Sequence, residues 1–71
     1  MSKVSVNLPL LKELRQEKDY SLSDMSALLG YKTPTGFWLV EKGQRSLSVE
    51  NLYALSRLFN RTMEDLLIVE G

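Results

Sequence analysis

Residues 21–43 read SLSDMSALLGYKTPTGFWLVEKG, and the punctuation of this stretch predicts two short helices separated by a tight turn. Ser21 is a capping residue type: its hydroxyl can accept a hydrogen bond from an otherwise unpaired amide of the first turn. Asp24, three residues on, is placed to return a bond to the Ser21 amide and complete a capping box. Leu22, Met25, Leu28 and Leu29 supply one apolar face, and Gly30 stops the helix by taking the left-handed turn that ends many helices. A second start follows at Thr33–Pro34. Proline suits a first helical position, where its missing N–H would have no intrahelical acceptor, and it pushes the preceding threonine toward the extended backbone of a cap. The run GFWLVEK continues this helix until Gly43, so the expected spans are about 22–29 and about 34–42.

Helix signals recur on both sides. The stretch NLPLLKELRQEKDY (7–20) opens on Asn7 as a cap, with Pro9 tolerated in the first turn. Leu11, Leu14 and Lys18 fall on one stripe beside Leu8 and Leu10, while Lys12, Glu13, Arg15 and Glu17 are assigned to the outer face. Beyond the turn QRSLS, Ser48 caps a fourth helix that carries Val49, Leu52, Leu55, Leu58 and Phe59 at helical spacing. Thr62 and Asp65 repeat the capping-box pattern ahead of Leu66 and Leu67, which predicts a short fifth helix. KVSV (3–6) alternates but is too short to count as a strand. The expectation is an all-α fold, a compact bundle of five short helices forming one domain over residues 1–71.

At 71 residues the chain has room for one small domain, whose folding buries only about 60% of the unfolded surface. The lack of cysteine excludes disulfides, thiolate metal sites and a cysteine nucleophile, and the lack of histidine removes the usual general base and the commonest metal ligand. Ser21, Ser23, Ser26, Ser46 and Ser48 have no histidine to activate them, and the scattered carboxylates have capping or surface roles. No enzyme, cofactor or metal is therefore expected. No apolar run approaches the ~20 residues of a membrane-spanning helix, and no signal-peptide profile opens the chain, so a cytoplasmic protein with no membrane partner is expected. Nine Lys+Arg cancel nine Asp+Glu, so any basic patch must be sought locally. Residues 31–47 carry Lys32, Lys42 and Arg45 against Glu41 alone, whereas the last ten residues carry Glu64, Asp65 and Glu70 with no base. Charge alone reads most simply as an unevenly charged, solvated surface.

A capped helix, a glycine stop, a tight turn and a second helix form a helix-turn-helix pattern. With its flanks, the sequence resembles the Cro/lambda-repressor-type (XRE-type) helix-turn-helix family over roughly residues 8–67. The resemblance is carried by LKELRQEKDYSLSDMSALLGY, GFWLVEKGQRSLSVENLYALSRLFN and TMEDLL, in that order. It implies a lambda-repressor-like DNA-binding domain, with the helix at about 34–42 lying in the major groove of double-stranded DNA. Carried over by position, Thr33, Pro34, Thr35, Gly36, Trp38 and Leu39 are the base-reading residues. Thr35 has a hydroxyl and a methyl to offer, and Leu39 an apolar contact best suited to thymine. Gly36 either lets the backbone approach DNA closely or relieves a crowded contact inside the protein. Phe37 and Val40 fall where the family has core residues, and Glu41 is expected to hold helix or turn backbone groups. Ser21, Ser23, Lys32, Lys42, Gln44 and Arg45 are the expected phosphate contacts, which position a protein without reading sequence. Trp38 stands where relatives carry a small or polar residue; it packs at the bundle edge, flanks DNA or meets a partner.

Other positions depart from the family. Leu22 stands where a phosphate-binding glutamine is common, and the turn Tyr31–Lys32–Thr33 is one residue longer than usual. The reading face lacks Arg, Asn and Gln, which excludes bidentate recognition of guanine or adenine and leaves threonines, apolar contacts, backbone approach and DNA shape. Such a module gains affinity by pairing on a two-fold axis. The expected homodimer surface is Leu58, Phe59, Met63, Leu67, Ile68 and Val69, with Leu66 closing the core. The expected function is a sequence-specific transcriptional regulator, a nucleoid-associated repressor in a bacterium or phage that occludes a promoter as a dimer on a palindromic operator. Control falls to its concentration, to proteolysis or to a regulatory protein partner. The alternative is a protein-interaction module on the same fold, antitoxin-like or anti-regulator, favoured by Trp38, Leu39 and the neutral total charge. Neutralising Lys32, Lys42 and Arg45 separates the two.

Overall fold

In the computed structural model, which describes residues 3–71, the elements run β1 (Lys3–Val6), α1 (Leu8–Glu17), α2 (Leu22–Leu28), α3 (Thr35–Glu41), α4 (Val49–Leu58) and β2 (Leu67–Glu70). A single 3-10 turn at Glu64–Leu66 precedes β2. This corrects the expected all-α bundle of five helices. The capping box at Thr62 does form, with Asp65 N donating to Thr62 Oγ1 (3.1 Å) and Thr62 N to the Asp65 carboxylate (3.2 Å). It supports one 3-10 turn only, because Leu67 already has extended dihedrals (φ −112°, ψ 155°) and the β-branched Ile68 and Val69 follow it into a strand. The partner is the KVSV segment that looked too short to trust. The two strands pair antiparallel with Lys3 opposite Glu70, Val4 opposite Val69, Ser5 opposite Ile68 and Val6 opposite Leu67, and Asn7 N extends the pairing by donating to Leu66 O (2.9 Å).

The chain forms two compact units: Leu8–Ser46, and a second made of residues 3–7 with Leu47–Gly71. In the first, α1 and α2 both pack on α3, with Leu11, Leu14, Met25, Phe37 and Val40 buried. In the second, Leu55, Phe59 and Leu66 are buried. Lys18, assigned to the apolar stripe of α1, lies past the helix end and is exposed; Leu28 and Val49, also assigned to apolar stripes, are exposed.

The helix ends share one device. After α2 and α3 the chain turns through Gly30 (φ 82°) and Gly43 (φ 75°), where a side chain on the α-carbon would be strained. Asp19 (φ 57°) and Asn60 (φ 54°) do the same after α1 and α4, both being short polar residues that tolerate this region. In each case the amide two residues beyond the C-cap closes on a carbonyl five residues back, as in Tyr31 N to Ser26 O (2.8 Å) and Gln44 N to Leu39 O (3.0 Å).

Candidate nucleic-acid interface

The α2–α3 segment is held by three contacts within the Leu8–Ser46 unit. Ser26, buried on α2, donates from Oγ to Pro34 O (3.0 Å) and accepts from Phe37 N (3.0 Å), so one hydroxyl satisfies a first-turn amide of α3 and ties the two helices together. Gly36 lies against Tyr31. A Cβ built on it would stand 2.6 Å from both Cβ and Cγ of that tyrosine. Arg15 of α1 forms the third contact: its Nε lies 2.7 Å and its Nη2 3.4 Å from the two Glu41 oxygens, while Nη1 donates to Tyr20 O (2.9 Å). These side chains are 12% and 8% exposed, so the pair is largely removed from water.

Helix α3 therefore has two clear sides. Gly36, Phe37 and Val40 face inward, whereas Thr35, Trp38, Leu39 and Lys42 follow the i, i+3, i+4, i+7 spacing of a single outer face. Thr35 and Lys42 are exposed, Trp38 is 41% exposed and Leu39 half-buried. The Lys42 ammonium sits 5.7 Å from the Trp38 ring centroid, within cation–π range. Lys32, Thr33 and Pro34 approach α3 exposed, and exposed Gln44 and Arg45 leave it, with the Arg45 guanidinium 4.7 Å over the Tyr31 ring. Because Arg15 neutralises Glu41, the charges left over residues 31–46 are Lys32, Lys42 and Arg45, all positive.

No model of a known protein family matches the chain, and no curated protein does.

The residues expected to read bases thus divide. Thr33, Pro34, Thr35, Trp38 and Leu39 lie along one surface, but Gly36 is corrected: it is buried, and its missing side chain makes room for Tyr31 rather than for an outside molecule. Among the expected phosphate contacts, Lys32, Lys42, Gln44 and Arg45 are exposed around α3. Ser21 is corrected. Its Oγ accepts from Asp24 N (2.9 Å) and its amide is given to the Asp24 carboxylate (2.9 Å), so both groups serve the cap of α2. The bond from the Ser21 amide, then that from its side chain, holds the Asp24 carboxyl below its ordinary pKa. Ser23 is exposed beside it.

Of the expected dimer surface, Phe59 is corrected: it is 5% exposed and belongs to the core of its unit. Leu58, Met63 and Leu67 are half-buried, while Ile68 and Val69 are exposed. Val4, set opposite Val69 in the ladder, adds an exposed apolar side chain that the sequence reading missed. The reading also missed the parts played by Ser26, Tyr31 and Arg15. Two left a trace: Ser26 adjoins Met25 on the inner side of α2, and Arg15 is four residues from Leu11, on the buried side of α1. Glu41, expected to hold backbone groups, instead accepts from Arg15. Among the described residues no helix is long and apolar enough to cross a membrane.

Proposed function

We propose that this protein is a sequence-specific transcriptional regulator of the helix-turn-helix type, a repressor that binds double-stranded DNA as a dimer on a palindromic operator. The observation that supports this most is the outer face of α3: Thr35, Trp38 and Leu39 lie among the exposed Lys32, Lys42 and Arg45, with the nearby Glu41 already neutralised by Arg15. A face of this kind suits a polyanion with readable edges. The bulk charge of zero hides it, because the compensating acids lie elsewhere in the chain. Dimer formation in this reading uses the exposed Ile68 and Val69 with half-buried Leu58, Met63 and Leu67. Dimeric readers of this type take half-sites about one helical turn apart, ~34 Å.

Binding selection from a random double-stranded DNA pool, at low and near-physiological salt, tests the proposal. An enriched palindrome at both salts is the expected result; no enrichment at either, or enrichment lost at the higher salt, overturns sequence-specific binding. If Lys32, Lys42 and Arg45 each neutralise one phosphate, the logarithm of affinity falls with the logarithm of salt with a slope of about −3 per protomer. Lys42→Ala should reduce that slope by about 1 per protomer and weaken specific and random duplexes alike. A second reading, a protein-interaction module, is favoured by the half-exposed Trp38, an aromatic of the type that anchors protein interfaces. In that case neutralising Lys32, Lys42 and Arg45 leaves partner binding intact.

A further inference from the structure

We infer, resting on the DNA-binding reading above, that the α3 face recognises its target chiefly through thymine 5-methyl groups in the major groove. Between Thr33 and Leu39 this face has three hydrogen-bonding side chains, the Thr33 and Thr35 hydroxyls and the Trp38 indole N–H, and the last only donates. No side chain there presents the paired donors that grip guanine or the adjacent donor and acceptor that grip adenine. What it does present is apolar: the Thr35 methyl, the Pro34 ring, the Trp38 indole and the outer part of Leu39. In the major groove of unmodified DNA the thymine methyl is the one apolar group on the base edges, so an apolar reading face has one complementary feature to meet.

Two further observations favour this occupant over an apolar protein surface. Lys32, Lys42 and Arg45 are exposed around the face with no unpaired carboxylate over residues 31–46, a charge complementary to phosphates. The face is also held in place. The Ser26 hydrogen bonds fix the start of α3, the Gly36–Tyr31 contact fixes its first turn, and the Arg15–Glu41 pair fixes its end. A methyl offers contact only over a short distance, so apolar readout depends on a face that does not move.

The test changes the DNA rather than the protein, which leaves folding untouched. Duplexes recovered by selection are resynthesised with deoxyuridine replacing thymine one position at a time, which deletes the methyl and keeps the pairing. Each contacted thymine should then weaken binding about fourfold, the equivalent of one apolar carbon at about 0.8 kcal/mol. Thymines outside the footprint should have no effect. In Trp38→Ala and Leu39→Ala the loss on deoxyuridine substitution should disappear at one position each; Thr35→Ser, which keeps the hydroxyl and removes only the methyl, should do the same at a third. Specific binding that survives deoxyuridine at every thymine overturns this inference while leaving the DNA-binding reading standing. Failure to recover any specific duplex overturns both.

Discussion

Replacing Gly36 with alanine should destabilise this protein, although alanine is the better helix former. Propensity alone favours the substitution by roughly 1 kcal/mol, since glycine in a helix loses the most backbone freedom on folding. Against this stands the new methyl, 2.6 Å from Cβ and Cγ of Tyr31 and 3.1 Å from its Cδ1. Those atoms are the root of the tyrosine side chain, not a flexible tip, so relief requires the turn between α2 and α3 to open or the ring to swing out from under Arg45. Overpacking of this kind costs about 1–3 kcal/mol. With the near atoms so close to the backbone the upper half of that range applies, leaving a net loss of about 1–2 kcal/mol. For a domain of this size that is a fall in Tm of roughly 4–16 °C, measurable by thermal unfolding followed by circular dichroism in the absence of any ligand. In a Tyr31→Ala background two of the three close atoms are gone, and the penalty should shrink. A rise in Tm for Gly36→Ala in the otherwise unchanged protein would refute the packing explanation and restore the alternative, a glycine kept for close backbone approach to DNA.

Two other perturbations probe the same unit. Glu41→Leu leaves the Arg15 guanidinium largely buried without its counter-charge and should cost about 3–5 kcal/mol, whereas adding Arg15→Met to it should recover most of that loss. Urea unfolding of the four members of this cycle measures the coupling, and purely additive losses would show that the pair is idle. The third concerns pH. Asp24 has a depressed folded-state pKa, so the capping box adds stability above the ordinary aspartate value of 3.8, and this is lost as pH falls through the lower folded value. Asp24→Asn lacks that dependence: the Tm gap between it and the parent should be widest at neutral pH and narrow toward about pH 2. A gap that stays constant over this range would mean that the carboxylate contributes nothing as an ion.

The elements that could be read along the chain were those whose signals are local. The Ser21–Asp24 box, the Ser48 cap, the glycine stops at 30 and 43 and the apolar stripe Leu11–Leu14 all involve residues within one helical turn or at one helix end, and the helices follow them. Even the failed fifth helix carried a correct local statement, since the Thr62–Asp65 box is present. What misled was extrapolation from a cap to a helix. Whether the residues after Asp65 continue helically depends on a strand partner more than sixty positions away, and four-residue segments such as KVSV or LIVE carry too little pattern to announce one another.

The candidate site divides along the same line. That Lys32, Lys42 and Arg45 cluster in the chain, and that residues 33–39 contain no bidentate base reader, follows from composition and spacing. Which of these side chains face outward does not. The burial of Gly36 under Tyr31, the removal of Phe59 from the surface and the cancellation of Glu41 by an arginine 26 residues earlier all depend on which helices meet. Local backbone preference and hydrogen bonding act within a turn or two, so they are written where they act; packing and ion pairing act through space, and only the folded chain brings their partners together.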